Sequence, residues 1–452
     1  MNSSKWIVLL SLAATANTAC EQSDAEDAQY DGTGAAADSV DGNDATFEEV
    51  QDGSSPTQLT RESALRQRAL DEGLISLRDL TLIVPDPALV ELGRDLFFDP
   101  ILGGELDVAC STCHHPQLGF ADNVDFPIGV GGVGLGADRR YTAVAHDNRA
   151  LGPLRPLGRS SPTVLNLQLL AIEADARALP TPFLWDGRAD ELSDFTQMPI
   201  TVRDEMRGDA WPQLDGMSGL LARLSENDAW RARFEETFDL DSEAPLVLSH
   251  MQLAFNAFML SLVSPPNALD DFLEGSAAPS EQFLNGLELF MDLSCSGCHN
   301  GVSMSDGGFH LTGVPVGELS RPLAGGVDVG RMEPTGRERD RYLFRTGPLR
   351  EIAHTAPYMH NGTLETLEDV VRFYVSGTNP LAEALPPVPD ERLERGTPRD
   401  LTDNEVADLV HFLESLSSPA GELERLFPEP DSVPSLLPPS GVPAADRLPL
   451  AR

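Results

Sequence analysis

Apolar residues return at helical spacing in several separate stretches. Leu89, Leu92, Leu96 and Phe97 fall on one side of a short helix over residues 89–98, and Phe283, Leu287 and Phe290 repeat that arrangement later in the chain. Leu246 to Leu262 is apolar on more than one face and is stopped by Pro265-Pro266, so it reads as a core helix rather than a membrane span. Residues 403–416 form an amphipathic helix with Thr402 as its cap. From Phe126 to Gly158 glycine and arginine replace any periodicity, which predicts a long loop. The chain is therefore predicted to be mainly α, with long irregular loops.

The two ends read differently. Lys5 followed by the apolar run Trp6–Ala16 and small residues up to Ala19-Cys20 is an export signal, residues 1–20, too short to span a bilayer. A lipid on Cys20 would anchor the chain to a membrane, although Asn17-Thr18-Ala19 lacks the usual apolar residue three before the cysteine. Ordinary secretion is the other reading. Either way the destination is the periplasm or cell envelope. Residues 21–60 carry acids with no Lys or Arg and few apolar anchors, the composition of a flexible tether. Residues 427–452 are a proline-rich tail expected to be extended or loosely packed.

Chemistry enters with two five-residue runs, Cys110-Ser111-Thr112-Cys113-His114 and, 185 residues on, Cys295-Ser296-Gly297-Cys298-His299. Two thiols add to the vinyl groups of a haem, and the next histidine turns under the ring to bind iron. One CxxC alone could be a redox dithiol or half a zinc site. Two copies with histidine in an exported chain point to two covalently bound haem c groups, with Cys110, Cys113, His114, Cys295, Cys298 and His299 holding them. Of the five cysteines only Cys20 is left, and none remains for a disulfide. The repeat suggests two haem domains, 61–243 (with the inserted loop 126–158) and 244–426, packed against each other. The formal net charge of -40 excludes nucleic acid as a partner and favours basic or neutral proteins, cations and small neutral oxidants; a saline habitat is the alternative source of such a charge.

Further segments carry a family resemblance. They are Leu92-Gly93-Arg94 with Leu96-Phe97-Phe98-Asp99, the run Ser161-Pro162-Thr163-Val164-Leu165-Asn166, Trp185-Asp186-Gly187-Arg188-Ala189, and Thr355-Ala356-Pro357-Tyr358-Met359-His360-Asn361-Gly362. With the two haem motifs they resemble the bacterial di-haem cytochrome c peroxidases and the related MauG proteins, from about residue 87 to 416. The resemblance implies peroxide reacting at the first haem while the second stores or relays oxidising equivalents. Glu205 matches the distal glutamate, a general acid-base group. Trp185 matches a tryptophan between the haems, and Arg188 would hold that junction by pairing with a carboxylate or haem propionate. A calcium ion between the domains would use Ser160, where the family has asparagine, and the carbonyls of Thr355 and Pro357.

Three positions depart from the family pattern. Where a second histidine follows the first by sixteen residues in many of these peroxidases, this chain has Val130, so the first iron is expected to be open; His146 is the rival ligand, while His115 is too constrained by its neighbour to serve. Where the second haem commonly has a methionine, nineteen residues after Thr355, this chain has Tyr374, as the MauG-like branch does. An anionic phenolate favours oxidised iron more than a thioether would. Met304 and Met332 are the methionine alternatives. Where a glutamine precedes the distal glutamate by ten residues stands Phe195, with Gln197 expected to face elsewhere, which implies a drier pocket.

The resemblance thus implies a di-haem peroxidase that reduces hydrogen peroxide with electrons from a small cytochrome c or copper protein. A MauG-like oxidase of a protein substrate and a non-enzymatic electron-transfer cytochrome are the other readings.

Overall fold

The computed structural model describes residues 56–142, 151–176, 183–212, 216–315, 327–378, 393–394 and 398–441. The export signal with Cys20, His146, and most of the acidic tether lie outside the described residues. The principal helices are α1 (Pro56–Asp71), α2 (Pro87–Phe98), α3 (Leu167–Ala176), α4 (Leu192–Thr201), α5 (Gly216–Glu226), α6 (Asp228–Phe238), α7 (Leu248–Ser261), α8 (Ala268–Glu274), α9 (Glu281–Asp292), α10 (Leu367–Val375) and α11 (Asp403–Glu414). Among the described residues, strands are confined to two antiparallel pairs, β1 (Gly132–Val133) with β2 (Arg140–Tyr141), and β3 (Phe309–His310) with β4 (Phe344–Arg345). Among the described residues, no helix is long and apolar enough to cross a membrane.

Each haem motif follows a helix whose start is written in the sequence. Asp86 caps α2 by accepting from the Ala88 N–H, with Pro87 in the first turn, and Ser280 caps α9 by accepting from the Phe283 N–H. Each helix then crosses a partner at a glycine. A Cβ at Gly93 would strike the Ala254 carbonyl of α7, and one at Gly286 would strike the Asp408 carbonyl of α11. The missing side chain lets backbones approach, and the apolar stripes of the paired helices close over each other. Two sub-domains result, each built around one such crossing. The α2–α7 core gathers Leu92, Leu96, Phe97, Phe255 and Phe258 with Trp230 and Phe234 of α6. The α9–α11 core gathers Phe283, Leu287, Phe290, Leu409 and Phe412 with Phe272 of α8.

Three expectations are corrected here. The cores do not divide at residues 243/244: Leu246 and α7 belong to the first, because the apolar α7 finds its partner in α2, and the second resumes at Leu269 after Pro265-Pro266. Helix α1 begins at Pro56, inside the segment assigned to the tether, and sends Leu65 and Ala69 into the second core. The tail is not loose over residues 427–441. Val433 is buried in the first core, and Ser440 is fully buried against the first haem motif, where its carbonyl accepts from Thr112 Oγ1 at 2.6 Å. The prolines keep this segment out of regular helix and strand, it folds back through turns to Pro439–Gly441, and side-chain hydrogen bonds hold it down.

Candidate haem sites

Cys110–Cys113 forms a single helical turn ending at His114, and His299 follows a tighter turn over Cys295–Gly297. Both histidines are held in the same way. His114 Nδ1 lies 3.1 Å from the Phe120 carbonyl, and His299 Nδ1 lies 3.0 Å from the Met304 carbonyl. The carbonyl assigns the proton to Nδ1 and the lone pair to Nε2, the arrangement a metal-bound imidazole needs. Burial keeps both rings neutral, pushing His114 down to about 4 and lowering His299, which nearby carbonyls only partly offset.

Around the second motif lies a cavity of about 340 Å³. Cys295, Cys298 and His299 line it together with apolar side chains from α9, α10 and α11, and so does Tyr374. These residues fit a haem: two thiols, a histidine with its lone pair on Nε2, and an apolar chamber on one wall. Met304 does not line the cavity, since its side chain is buried in the second core and its carbonyl serves His299. Met332 does not line it either. The other lining side chains able to bind iron are His310, which is engaged by Asp306 and Glu394 at 2.7 Å each, and Tyr358, Met359 and His360, which stand side by side in the last of the family-like segments. His360 is buried and stacked on Phe344 with ring centres 3.6 Å apart.

Trp185 stands on the same wall, donating from Nε1 to the Ser160 carbonyl at 2.8 Å. Ser160, Thr355 and Pro357, the three residues expected to take calcium, line this cavity as well. Asp186 is wholly buried. It receives Arg159 at 2.7 Å and the neighbouring Arg188, and these guanidinium groups hold its carboxyl below the usual range despite burial. Arg188 also reaches Glu333 at 3.1 Å, and Arg159 closes bidentately on Asp328. Arg188 thus pairs with carboxylates of both halves of the chain.

The first motif is more enclosed. Glu205 sits on a wide helical turn, Arg203–Arg207, where the Arg207 N–H reaches back to the Val202 carbonyl at 3.0 Å. Burial pushes its carboxyl up to about 7, with Arg188 pulling slightly the other way. The Cys110 thiol is raised to about 12 by burial first and by the Glu205 carboxylate second, and Glu205 also raises Cys113, so this carboxyl lies within electrostatic reach of both. A smaller cavity of about 180 Å³, lined by Cys113, Thr112, Asp122 and Arg139 among others, adjoins the motif.

Val130, at the place of the missing histidine, is fully buried, and its N–H donates to the Glu205 carbonyl at 3.1 Å. His115 turns away towards the tail, its Nε2 3.9 Å from Glu429. Phe195 packs into the first core against Phe183, and Gln197 folds back onto the Ser193 carbonyl of its own helix. Sequence reasoning missed the tail and the buried Arg139. The second left a signal only in hindsight, as an arginine amid glycines.

Comparisons with known proteins agree with this architecture. Residues 87–278 match the family described as di-haem cytochrome c peroxidase. The methylamine utilization protein MauG of Methylorubrum extorquens is 32% identical over 335 residues, covering 74% of this chain and 79% of that protein. The cytochrome c551 peroxidase of Pseudomonas aeruginosa is 32% identical over 339 residues, covering 74% and 80%. The crystal structure of a MauG-like protein associated with microbial copper homeostasis shares the fold, with a TM-score of 0.56 at 23% identity over 76% of this chain and 93% of that one. The diheme peroxidase BthA of Burkholderia thailandensis gives 0.56 at 22% identity, over 77% and 90%. The chain belongs to the di-haem cytochrome c peroxidase and MauG family of oxidoreductases, and stands closer to its MauG-like branch.

Proposed function

We propose that this protein reduces hydrogen peroxide at a haem held by Cys110, Cys113 and His114, with Glu205 as the acid-base group, and draws electrons through a second haem held by Cys295, Cys298, His299 and Tyr374. The observation that carries the reading is the half-buried Glu205 carboxyl, within electrostatic reach of both cysteines of the first motif, on a turn whose backbone is held by Val130. A haem held by His114 would supply, together with the second haem, the two electrons that split the peroxide O–O bond. Glu205 accepts the proton of the near peroxide oxygen and returns it to the departing one, so that water rather than hydroxide leaves. Its burial places the carboxyl where both protonation states are populated near neutral pH.

Val130 and Phe195 bring no ligand or proton donor of their own, which keeps the position beside Glu205 open to a small oxidant. Trp185 contributes an oxidisable indole on the wall of the second cavity, and the Asp186–Arg188–Arg159 cluster fixes the backbone that bears it. Tyr374, on the lining of that cavity, would offer a phenolate to the second iron and favour its oxidised state. Calcium, held by Ser160 and the carbonyls of Thr355 and Pro357, would tie the Trp185 wall to the second sub-domain.

Tyr374 on that cavity favours one further reading, a MauG-like oxidase whose electrons come from side chains of a partner protein instead of a small cytochrome or copper protein. Rapid mixing of the ferric holoprotein with one equivalent of peroxide tests both. A reaction without prior reduction, abolished in Glu205→Gln, supports the peroxide site; an inert protein with both irons six-coordinate would make it an electron carrier.

A further inference from the structure

Residues 126–142 and 151–158, two stretches of the segment that shows no periodicity, lie against the turn that carries Glu205. Its base is joined by the Leu157 N–H donating to the Pro127 carbonyl at 2.8 Å. On one side the Val130 N–H donates to the Glu205 carbonyl at 3.1 Å, and Gly129 packs so closely that a Cβ there would strike the Glu205 and Asp204 carbonyls. On the other, the Arg155 N–H donates to Asp204 Oδ1 at 3.3 Å, and Arg203 reaches back to the Gly152 carbonyl at 2.8 Å. The turn is thus gripped at Asp204 and Glu205 by two arms of one loop.

The first arm is itself held from within by one residue. Arg139 is 9% exposed and donates to three carbonyls: Ile128 at 2.5 Å, Gly129 at 2.6 Å and Gly134 at 3.0 Å. Asp107 adds a fourth tie by accepting from the Gly131 N–H at 2.7 Å. A planar guanidinium can collect three divergent carbonyls where an ammonium cannot. Burying a cation for carbonyl partners is costly, and here the carbonyls it collects flank Val130, the residue that touches Glu205.

We infer that this loop is a fixed brace for Glu205 and that Arg139, by holding the Ile128–Gly134 arm against the turn, is a positioning residue for the peroxide step; the inference rests on the function proposed for Glu205. Ties at the base and along both arms keep the carboxyl aimed without waiting for reduction of the second haem. Arg139 touches no reacting atom and acts through Val130 and the Glu205 backbone.

The test uses the haem-loaded wild type beside Arg139→Met, Gly129→Ala and, as control, Arg140→Met, whose exposed side chain bonds only the Asp138 carbonyl. Gly129→Ala pushes the same arm off the turn without removing a buried cation. The expected result is a fall in kcat/KM for peroxide of about 10- to 100-fold in the first two, carried by kcat, with haem content and the second haem's spectrum unchanged. Water entering beside Glu205 should also move the acid limb of the pH–rate profile down, away from neutrality, a shift that general loosening elsewhere would not produce.

If Arg139→Met does not accumulate as holoprotein, Gly129→Ala decides. Wild-type rate and limb in the variant that folds would overturn the brace while leaving the Glu205 reading intact. Loss of holoprotein in both would overturn it too, by making the loop a folding element. A wild type inert to peroxide would remove the step itself and the inference with it.

Discussion

The same five-residue motif occurs twice in this chain and receives opposite treatment from its surroundings. At the first, Ser111 and Thr112 are buried under the tail, with Ser111 Oγ donating to Ser440 Oγ at 2.8 Å and Phe427 set edge-on to Phe120. A loop and a half-buried carboxyl close around the same site. At the second, Gly297 is exposed with open space beside its Cα, and the cavity behind it is larger, apolar and faced by a tyrosine. Enclosure with titratable carboxyls suits a reactive centre, and an apolar chamber with an extra ligand suits a centre that holds charge. The motifs are alike; the functional difference is made by what the rest of the chain folds over each.

The largest effect should come from Glu205→Gln, which keeps shape and removes the proton acceptor. Peroxide reactivity at the first haem should fall by about 10²- to 10⁴-fold, measured by stopped-flow absorbance, with the second haem's spectrum untouched. A change at the second haem instead would erase the distinction between the sites. Next, pH should act through the same group. Because Glu205 is raised from 4.5 to about 7 and must be deprotonated to accept a proton, the rate should be full above neutrality and fall about tenfold per unit below it. A limb near 4.5 would mean the carboxyl is wet.

Tyr374→Phe should convert the second haem from low-spin to high-spin while the first still reacts with the first equivalent of peroxide. Magnetic circular dichroism would show this, and an unchanged low-spin signal would pass the ligand role to His310, Tyr358, Met359 or His360 on the same lining. The smallest effect belongs to the tail. Ser440→Ala loses the hydroxyl contacts to Ser111 and Glu429 and should cost about 1 kcal/mol in chemical denaturation, with peroxide kinetics within twofold of wild type.

Much of this was legible in the sequence, for definite reasons. Covalent haem attachment is a local requirement, so Cys110–His114 and Cys295–His299 announce it by spacing alone. The helices before each motif and the Thr402 cap were visible because apolar periodicity and capping are local too. Glu205, Trp185 and Tyr374 were reachable only through the family resemblance, since an acid, a tryptophan and a tyrosine carry no chemistry by themselves.

The division of the cores was not legible. That α7 joins α2 depends on a glycine meeting a carbonyl 161 residues away, at Gly93 and Ala254. The tail was misread because proline content reports the absence of helix, and it says nothing about burial. Val433 is buried in the first core, and Ser440 finds its partners in a motif more than 300 residues earlier. Arg139 was hidden for a similar reason, as its partners are backbone carbonyls and any sequence could supply them.

The most direct measurement is the electron paramagnetic resonance spectrum of the ferric holoprotein before and after one equivalent of peroxide. One high-spin and one low-spin haem, with both signals altered by peroxide without prior reduction, is the expected result of an open site at His114 and a tyrosine-ligated partner at His299. Two low-spin haems unmoved by peroxide would contradict it.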